Sequence, residues 1–159
     1  MKLQVTLPYM LQKAVRNHPL REAIVSEKGR WTYGDWRMNA RKRAAVLRAH
    51  GIGKGDHVAV IFLNGHEILE TFMALMMLGA VIVPLNVRLS SGELRYILDH
   101  SDATNLVLSH EFEAVIREIK GDLPRVRRYF KSGGEPAADM LDFEAETSAA
   151  EPLAEEADL

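Results

Sequence analysis

The strongest constraint on the fold is an unbroken run of six apolar residues from Val58 to Leu63. A strand with one face in water would alternate apolar and polar residues, whereas an unbroken run needs cover on both faces, as in parallel α/β sheets. A second apolar run, Ala80–Leu85, follows after Glu67–Leu78, a segment that is apolar on nearly every side. Strand, buried helix and strand together predict a βαβ unit.

Further elements extend this unit towards both termini. Four strands are predicted, near residues 58–63, 80–85, 105–109 and 126–130. Helices separate them, so we expect an α/β fold with a doubly wound, mostly parallel sheet flanked by helices. An amphipathic helix that starts at Leu7 and a short β-hairpin with its turn at Lys28-Gly29 precede the sheet.

The chain divides by composition near residue 134. All 20 Lys and Arg lie at or before Lys131, whereas nine of the 22 acidic residues follow residue 134. We therefore expect an α/β subdomain over residues 1–134 and an acidic tail over 135–159 that is loop or disordered. The basic residues are spread along the body, and Arg41-Lys42-Arg43 is interpreted as one exposed helical turn, so nucleic-acid binding is not expected.

Composition excludes several other classes. The chain has no cysteine, so it forms neither a disulfide framework nor a thiolate metal site. No stretch approaches the roughly 20 apolar residues that cross a bilayer, and Met1–Pro8 lacks the apolar core of a signal peptide. We expect a cytoplasmic protein without a transmembrane segment.

Few residues stand out as carriers of chemistry. His66 opens a helix, but Glu70 occupies the position where a zinc-protease pattern needs its second histidine. Gly53–Asp56 and Ser132–Gly134 lack the spacing of a phosphate-binding loop and are interpreted as turns. No set of nucleophile, base and acid can be assembled, so we predict no catalytic residue and no metal ligand.

Arg88 is the candidate binding residue. It follows the predicted strand 80–85 at the carboxyl edge of a parallel sheet, where ligands of open α/β folds tend to bind. A solvated loop arginine is the alternative interpretation.

Three blocks of sequence, taken in order, resemble the adenylate-forming (AMP-binding) superfamily of acyl-CoA ligases, luciferases and peptide-synthetase adenylation domains. The blocks are Trp31–Trp36, Gly51–Val60 and Leu78–Leu89. Within the superfamily, Pro84–Leu89 is similar to the acyl-CoA synthetase, or fatty-acid–CoA ligase, branch. The resemblance implies an enzyme that joins a carboxylate to the α-phosphate of ATP with Mg²⁺ and then passes the acyl group to CoA.

Other motifs of that family have no match in the sequence. The family uses a Ser/Thr- and Gly-rich phosphate loop ending in Pro-Lys-Gly, an acidic residue on the ribose and a lysine from a mobile carboxyl-terminal domain. We therefore expect a truncated amino-terminal subdomain that is inactive alone, binds no cofactor itself and has the remainder of the ligase chain as its partner. ATP, Mg²⁺ and CoA are implied for the full-length family.

The resemblance also implies one site residue. In some CoA-ligase members an arginine at the position matched by Arg88 contacts the CoA phosphate, a role that suits a guanidinium group. An uncovered sheet edge further predicts a homo-oligomer. The alternative to a ligase fragment is a free-standing α/β binding or regulatory module built on the same scaffold.

Overall fold

The computed structural model describes residues 6–154. Helix α1 (Leu7–Asn17) is followed by an antiparallel hairpin of β1 (Glu22–Ser26) and β2 (Gly29–Thr32), and then by α2 (Tyr33–Ala49). Thr32 caps α2, because its side chain accepts a hydrogen bond from a backbone N–H of the first turn. The predicted amino-terminal helix and hairpin are confirmed.

A five-stranded parallel sheet forms the centre of the fold. Its strands are β3 (His57–Ile61), β4 (Val81–Pro84), β5 (Asn105–Ser109), β6 (Arg128–Ser132) and β7 (Leu141–Asp142). They lie in the order β4-β3-β5-β6-β7, and each neighbouring pair is parallel. The connecting helices are α3 (His66–Met77), α4 (Ser91–His100) and α5 (Glu113–Ile119). The doubly wound α/β fold is thereby confirmed.

Each face of the sheet buries its own apolar core. Along β3, Val58 and Val60 pack with α1, α2 and α3 on one face, whereas Ala59 and Ile61 pack with α4 and α5 on the other. These four side chains are at most 1% exposed. Burial on both faces explains why the strand is apolar without alternation. Strand β6 lies two residues later than predicted, because Val126 enters the core from the preceding loop.

The segment 135–159 differs from its prediction. Strand β7 pairs with β6, and helix α6 (Phe143–Ala149) is capped by Asp142, whose side chain accepts a hydrogen bond from a backbone N–H of the first turn. Phe143 is 0% and Leu153 2% exposed. The prediction of loop or disorder was wrong for this part, because two well-spaced apolar side chains anchor a segment whose average composition is polar. Residues 155–159 of the predicted tail lie outside the described residues.

Strand β4 forms one edge of the sheet. The N–H groups of Val81 and Leu85 donate towards β3, at 2.8 and 2.9 Å. Because backbone groups alternate between the two sides of a strand, those of Ile82 and Pro84 face away from β3. Pro84 has no N–H, so Ile82 is the outward donor within β4. Within residues 6–154 no other strand pairs with this edge, and it offers little to a further strand.

Candidate functional site at the carboxyl edge of the sheet

The strand order places a crevice between β3 and β5. The chain runs outward from β3 to β4 in one direction and from β5 to β6 in the other. In open α/β sheets, ligands bind at the carboxyl ends of the strands where the order reverses in this way. Here that point lies just beyond Ile61 and Ser109.

Two adjoining cavities occupy this position, with volumes of about 260 and 120 Å³. We call them together the carboxyl-edge crevice. Both are lined by Lys28, Phe62, Glu67, Ser109 and Glu111. The larger one also reaches the residues that follow β6 and the start of α6.

The amino-terminal hairpin closes one side of the crevice. Lys28 Nζ, in the hairpin turn, donates to Glu67 Oε1 on α3 at 2.7 Å, and this hydrogen bond raises the pKa of Lys28. Burial of Glu67 opposes its ionised form, but the hydrogen bond from Lys28, a backbone hydrogen bond and the nearby positive groups together outweigh burial, and the pKa of Glu67 is lowered. Behind this pair, Trp31 stacks on His66 with 3.9 Å between ring centroids.

The segments that follow β5 and β6 meet on the opposite side. Burial opposes ionisation of Glu111, yet the nearby polar groups, among them Ser109 and His110, lower its pKa. Gly133 and Gly134 have φ of +78° and +70°, and a Cβ on Gly134 would lie 2.8 Å from His110 Cβ. Both glycines are therefore required by conformation, and the second also by close approach to His110.

The third wall is held by a buried arginine. Arg43 on α2 is 1% exposed, and its Nε donates to Glu70 Oε2 at 3.1 Å. Its Nη2 donates to Glu144 Oε2 on α6 at 3.1 Å, and the same oxygen accepts from Ser132 Oγ at 2.7 Å. The guanidinium also lies 4.9 Å from the ring centre of Phe143. Arg43 thus fixes Glu144 at the crevice, contrary to its interpretation as part of an exposed turn.

The crevice is acidic in balance. Glu67, Glu111 and Glu144 line it, whereas Lys28 is its lysine and is already paired with Glu67. Within residues 6–154, no group of three or more His, Asp or Glu side chains is arranged to hold a metal ion. The arrangement favours a cationic or hydroxyl-bearing group over a phosphate.

The arginine and the two glycine-rich segments that stood out in the sequence lie at different places in the structure. Arg88 is exposed in the turn after β4, where its backbone N–H donates to Asn86 Oδ1 at 3.0 Å, and it does not line the crevice. Gly53–Asp56 is a turn, closed by a bond from Gly53 N to Asp56 Oδ2 at 2.8 Å. Ser132–Gly134 lies at the crevice, a position indicated by the direct succession of strand, serine and two glycines.

The fold and crevice define an open α/β protein with its candidate site at a switch point of the strand order. A model of the AMP-binding enzyme family matches residues 11–158, and the chain belongs to that family. The predicted relationship is confirmed. Within residues 6–154, no helix is long and apolar enough to cross a membrane.

Several relatives are acyl-CoA ligases. The chain is 30% identical to 3-hydroxybenzoate–CoA ligase of Aromatoleum sp. (strain CIB), covering 84% of this chain and 27% of that protein. It is 33% identical to long-chain-fatty-acid–CoA ligase of Thermus thermophilus, covering 83% and 23% respectively. The chain therefore spans about a quarter of the length of these relatives.

Solved structures show the same fold. The anthranilate CoA ligase AuaEII in complex with anthranoyl-AMP superposes with a TM-score of 0.92 at 24% identity, covering 99% of this chain and 30% of that one. The amino-terminal domain of FACL13 from Mycobacterium tuberculosis gives a TM-score of 0.84 at 29% identity, covering 100% and 38%. Both structures thus share the α/β scaffold of this chain.

Proposed function

We propose that the chain is the amino-terminal part of an ATP-dependent acyl-CoA ligase, which forms an acyl-adenylate and then a CoA thioester. The observation that carries the proposal is the family match over residues 11–158, together with acyl-CoA ligases among the relatives. A fatty or an aromatic acid is the proposed substrate class, because the names of the relatives include both. A cytoplasmic location is part of the proposal.

The chain alone is proposed to be inactive. Adenylation needs preorganised positive charge around the phosphates of ATP. The carboxyl-edge crevice has three carboxylates and one lysine, and that lysine is already bound to Glu67. We therefore assign ATP and Mg²⁺ binding to the remainder of the ligase chain, which is the proposed partner, and no cofactor to the chain itself.

Arg88 is the proposed contact for CoA. It is exposed at the carboxyl end of β4, and its side chain has no ion pair with residues 6–154. A free guanidinium suits a phosphate, because it offers several N–H donors in one plane. Arg88 is offered as a binding residue, and no catalytic residue is proposed in this chain.

An ATP–pyrophosphate exchange assay tests the proposal. The chain as it stands is compared with the chain extended by whatever its gene encodes beyond Leu159, each with hydroxybenzoates and fatty acids of several lengths. We expect acid-dependent exchange from the extended protein only. Exchange by the 159-residue chain would show that it is not inactive alone. Absence of exchange from the extended protein with every acid would favour a free-standing binding or regulatory module.

Arg88 is tested in the extended protein by thioester formation. In Arg88→Ala the KM for CoA should rise about tenfold, because a charge-assisted hydrogen bond is lost. Exchange, which needs no CoA, should change little. Arg95→Ala is the matched control, since Arg95 is an exposed arginine on the following helix. An unchanged KM in Arg88→Ala removes the CoA contact and leaves the ligase proposal standing.

A further inference from the structure

A second cavity lies along β6, away from the carboxyl-edge crevice. Its volume is about 500 Å³, and no residue lines both it and the crevice. Strand β7 pairs with Phe130 and Lys131 only, so the earlier part of β6 is uncovered on this side. The cavity occupies that uncovered stretch, between the end of α2 and the segment before β7, and we call it the β6-edge cavity.

The rim of the β6-edge cavity is strongly basic. Arg127 and Arg128 are exposed, and their side chains make no hydrogen bond or ion pair with residues 6–154. Lys120 is a third basic group, and His50 also lines the cavity, with its Nε2 2.7 Å from Glu146 Oε2. Asp139 is the acidic lining residue, and it is already engaged by Lys120 at 2.7 Å and by Arg117 at 2.8 Å. Two guanidinium groups therefore remain available to an anion.

The interior combines apolar surface with one unused hydroxyl. Val126, Met140 and Leu141 line the cavity, and the first two are at most 8% exposed. Tyr129 also lines it, is 5% exposed, and its hydroxyl is buried with no hydrogen-bond partner in residues 6–154. A buried hydroxyl without a partner destabilises the fold, so its presence points to a ligand that supplies one.

We propose that the β6-edge cavity binds a small amphipathic anion, with its anionic group on Arg127 and Arg128 and its apolar body over Val126 and Met140. The volume is that of ordinary small-molecule pockets, and a lining of apolar residues with a few polar groups is typical of them. A single soluble molecule is the proposed occupant. The inference is independent of the ligase proposal, because it uses no residue of the crevice and not Arg88.

The probe is octyl phosphate, titrated below its micelle concentration into the isotope-labelled chain. We expect saturable binding by calorimetry and shifts of the Arg127 and Arg128 Nε–Hε signals in NMR spectra. Octyltrimethylammonium has the same tail with the opposite charge and should not bind. The chain should not co-sediment with phosphatidylglycerol vesicles. Binding to the vesicles without binding to octyl phosphate would overturn the proposal.

Variants separate the site from general charge effects. Arg127→Gln/Arg128→Gln should weaken octyl phosphate binding at least about tenfold. The control is Arg16→Gln/Arg21→Gln, which removes the same charge from exposed positions in α1 and the loop after it. It should change binding less than about twofold. Tyr129→Phe should weaken binding roughly fivefold without lowering the midpoint of urea unfolding, since it removes an unpartnered hydroxyl. Equal binding by all three variants, or no saturable binding at all, would overturn the site.

Discussion

Replacing Arg43 tests whether its buried ion pair with Glu70 stabilises the packing of α2 against α3. The Arg43 and Glu70 side chains are 1% and 2% exposed and joined at 3.1 Å, so water cannot take over from either partner. In Arg43→Met the arginine is replaced by an apolar side chain, and Glu70 stays buried with Asn39 Nδ2 at 2.8 Å as its remaining donor. The ionised carboxylate of Glu70 is then uncompensated.

The expected loss follows from that burial. Breaking a buried pair by removing one partner costs about 3–5 kcal/mol in the free energy of unfolding. The bond from Arg43 to Glu144 adds little, because the Glu144 side chain is 48% exposed and can be hydrated. For a domain whose total stability is about 5–15 kcal/mol, the loss is large.

Urea unfolding followed by circular dichroism measures this loss. Arg48→Met, an exposed arginine on the same helix, is the control and should change stability by about 0.5 kcal/mol or less. In Arg43→Met/Glu70→Met both charges are gone, so most of the stability should return. A single variant that loses less than about 1 kcal/mol, or a double variant no more stable than the single one, would refute the account of Arg43 as a buried cation required by Glu70.

Three further outcomes follow from the structure. Gly134→Ala should lower the unfolding free energy by about 1–3 kcal/mol, because φ is +70° and the new Cβ would lie 2.8 Å from His110. Thermal melts measure this loss, and Gly53→Ala, with open space around the new Cβ, is the control. The pKa of Asp139 is lowered to about 2 by hydrogen bonds from Lys120 and Arg117. The stability that ionised Asp139 contributes is therefore fully present above its ordinary pKa and is lost as the pH falls towards 2. In acid titrations of unfolding, Asp139→Asn should remove this part of the pH dependence. Pro84→Val restores an outward N–H on β4 and should increase self-association in light scattering, and an unchanged mass would show that Pro84 does not protect the edge.

Sequence patterns predicted the sheet well, because burial on both faces leaves a direct signature. The run from Val58 to Leu63 has no polar interruption, and only strands covered on both faces tolerate that composition. The same logic failed for α6. Phe143 and Leu153 lie ten positions apart among polar residues, and neither produces a periodic signal, although both are buried.

The candidate site was less accessible to sequence reasoning. The crevice brings together Lys28, Glu67, Glu111 and Glu144, which come from four separate segments. These side chains come together because of the strand order and the position of the turn that carries Lys28. Local periodicity in the sequence predicts neither of these. Arg43 was misjudged because a charge within a basic triplet is ordinarily solvated. The role of Arg88 stays a prediction.

The residues of α6 belong physically with the crevice and not with a separate tail. Glu144 receives bonds from Arg43 on α2 and from Ser132 at the end of β6, so its position is set by two elements of the sheet domain. Arg41 Nε donates to Leu153 O at 2.7 Å, which fixes the chain beyond α6 along the same helix. Leu153 is thus fixed beside α2 by two bonds to Arg41, next to the bonds to Glu144 that hold α6 at the crevice.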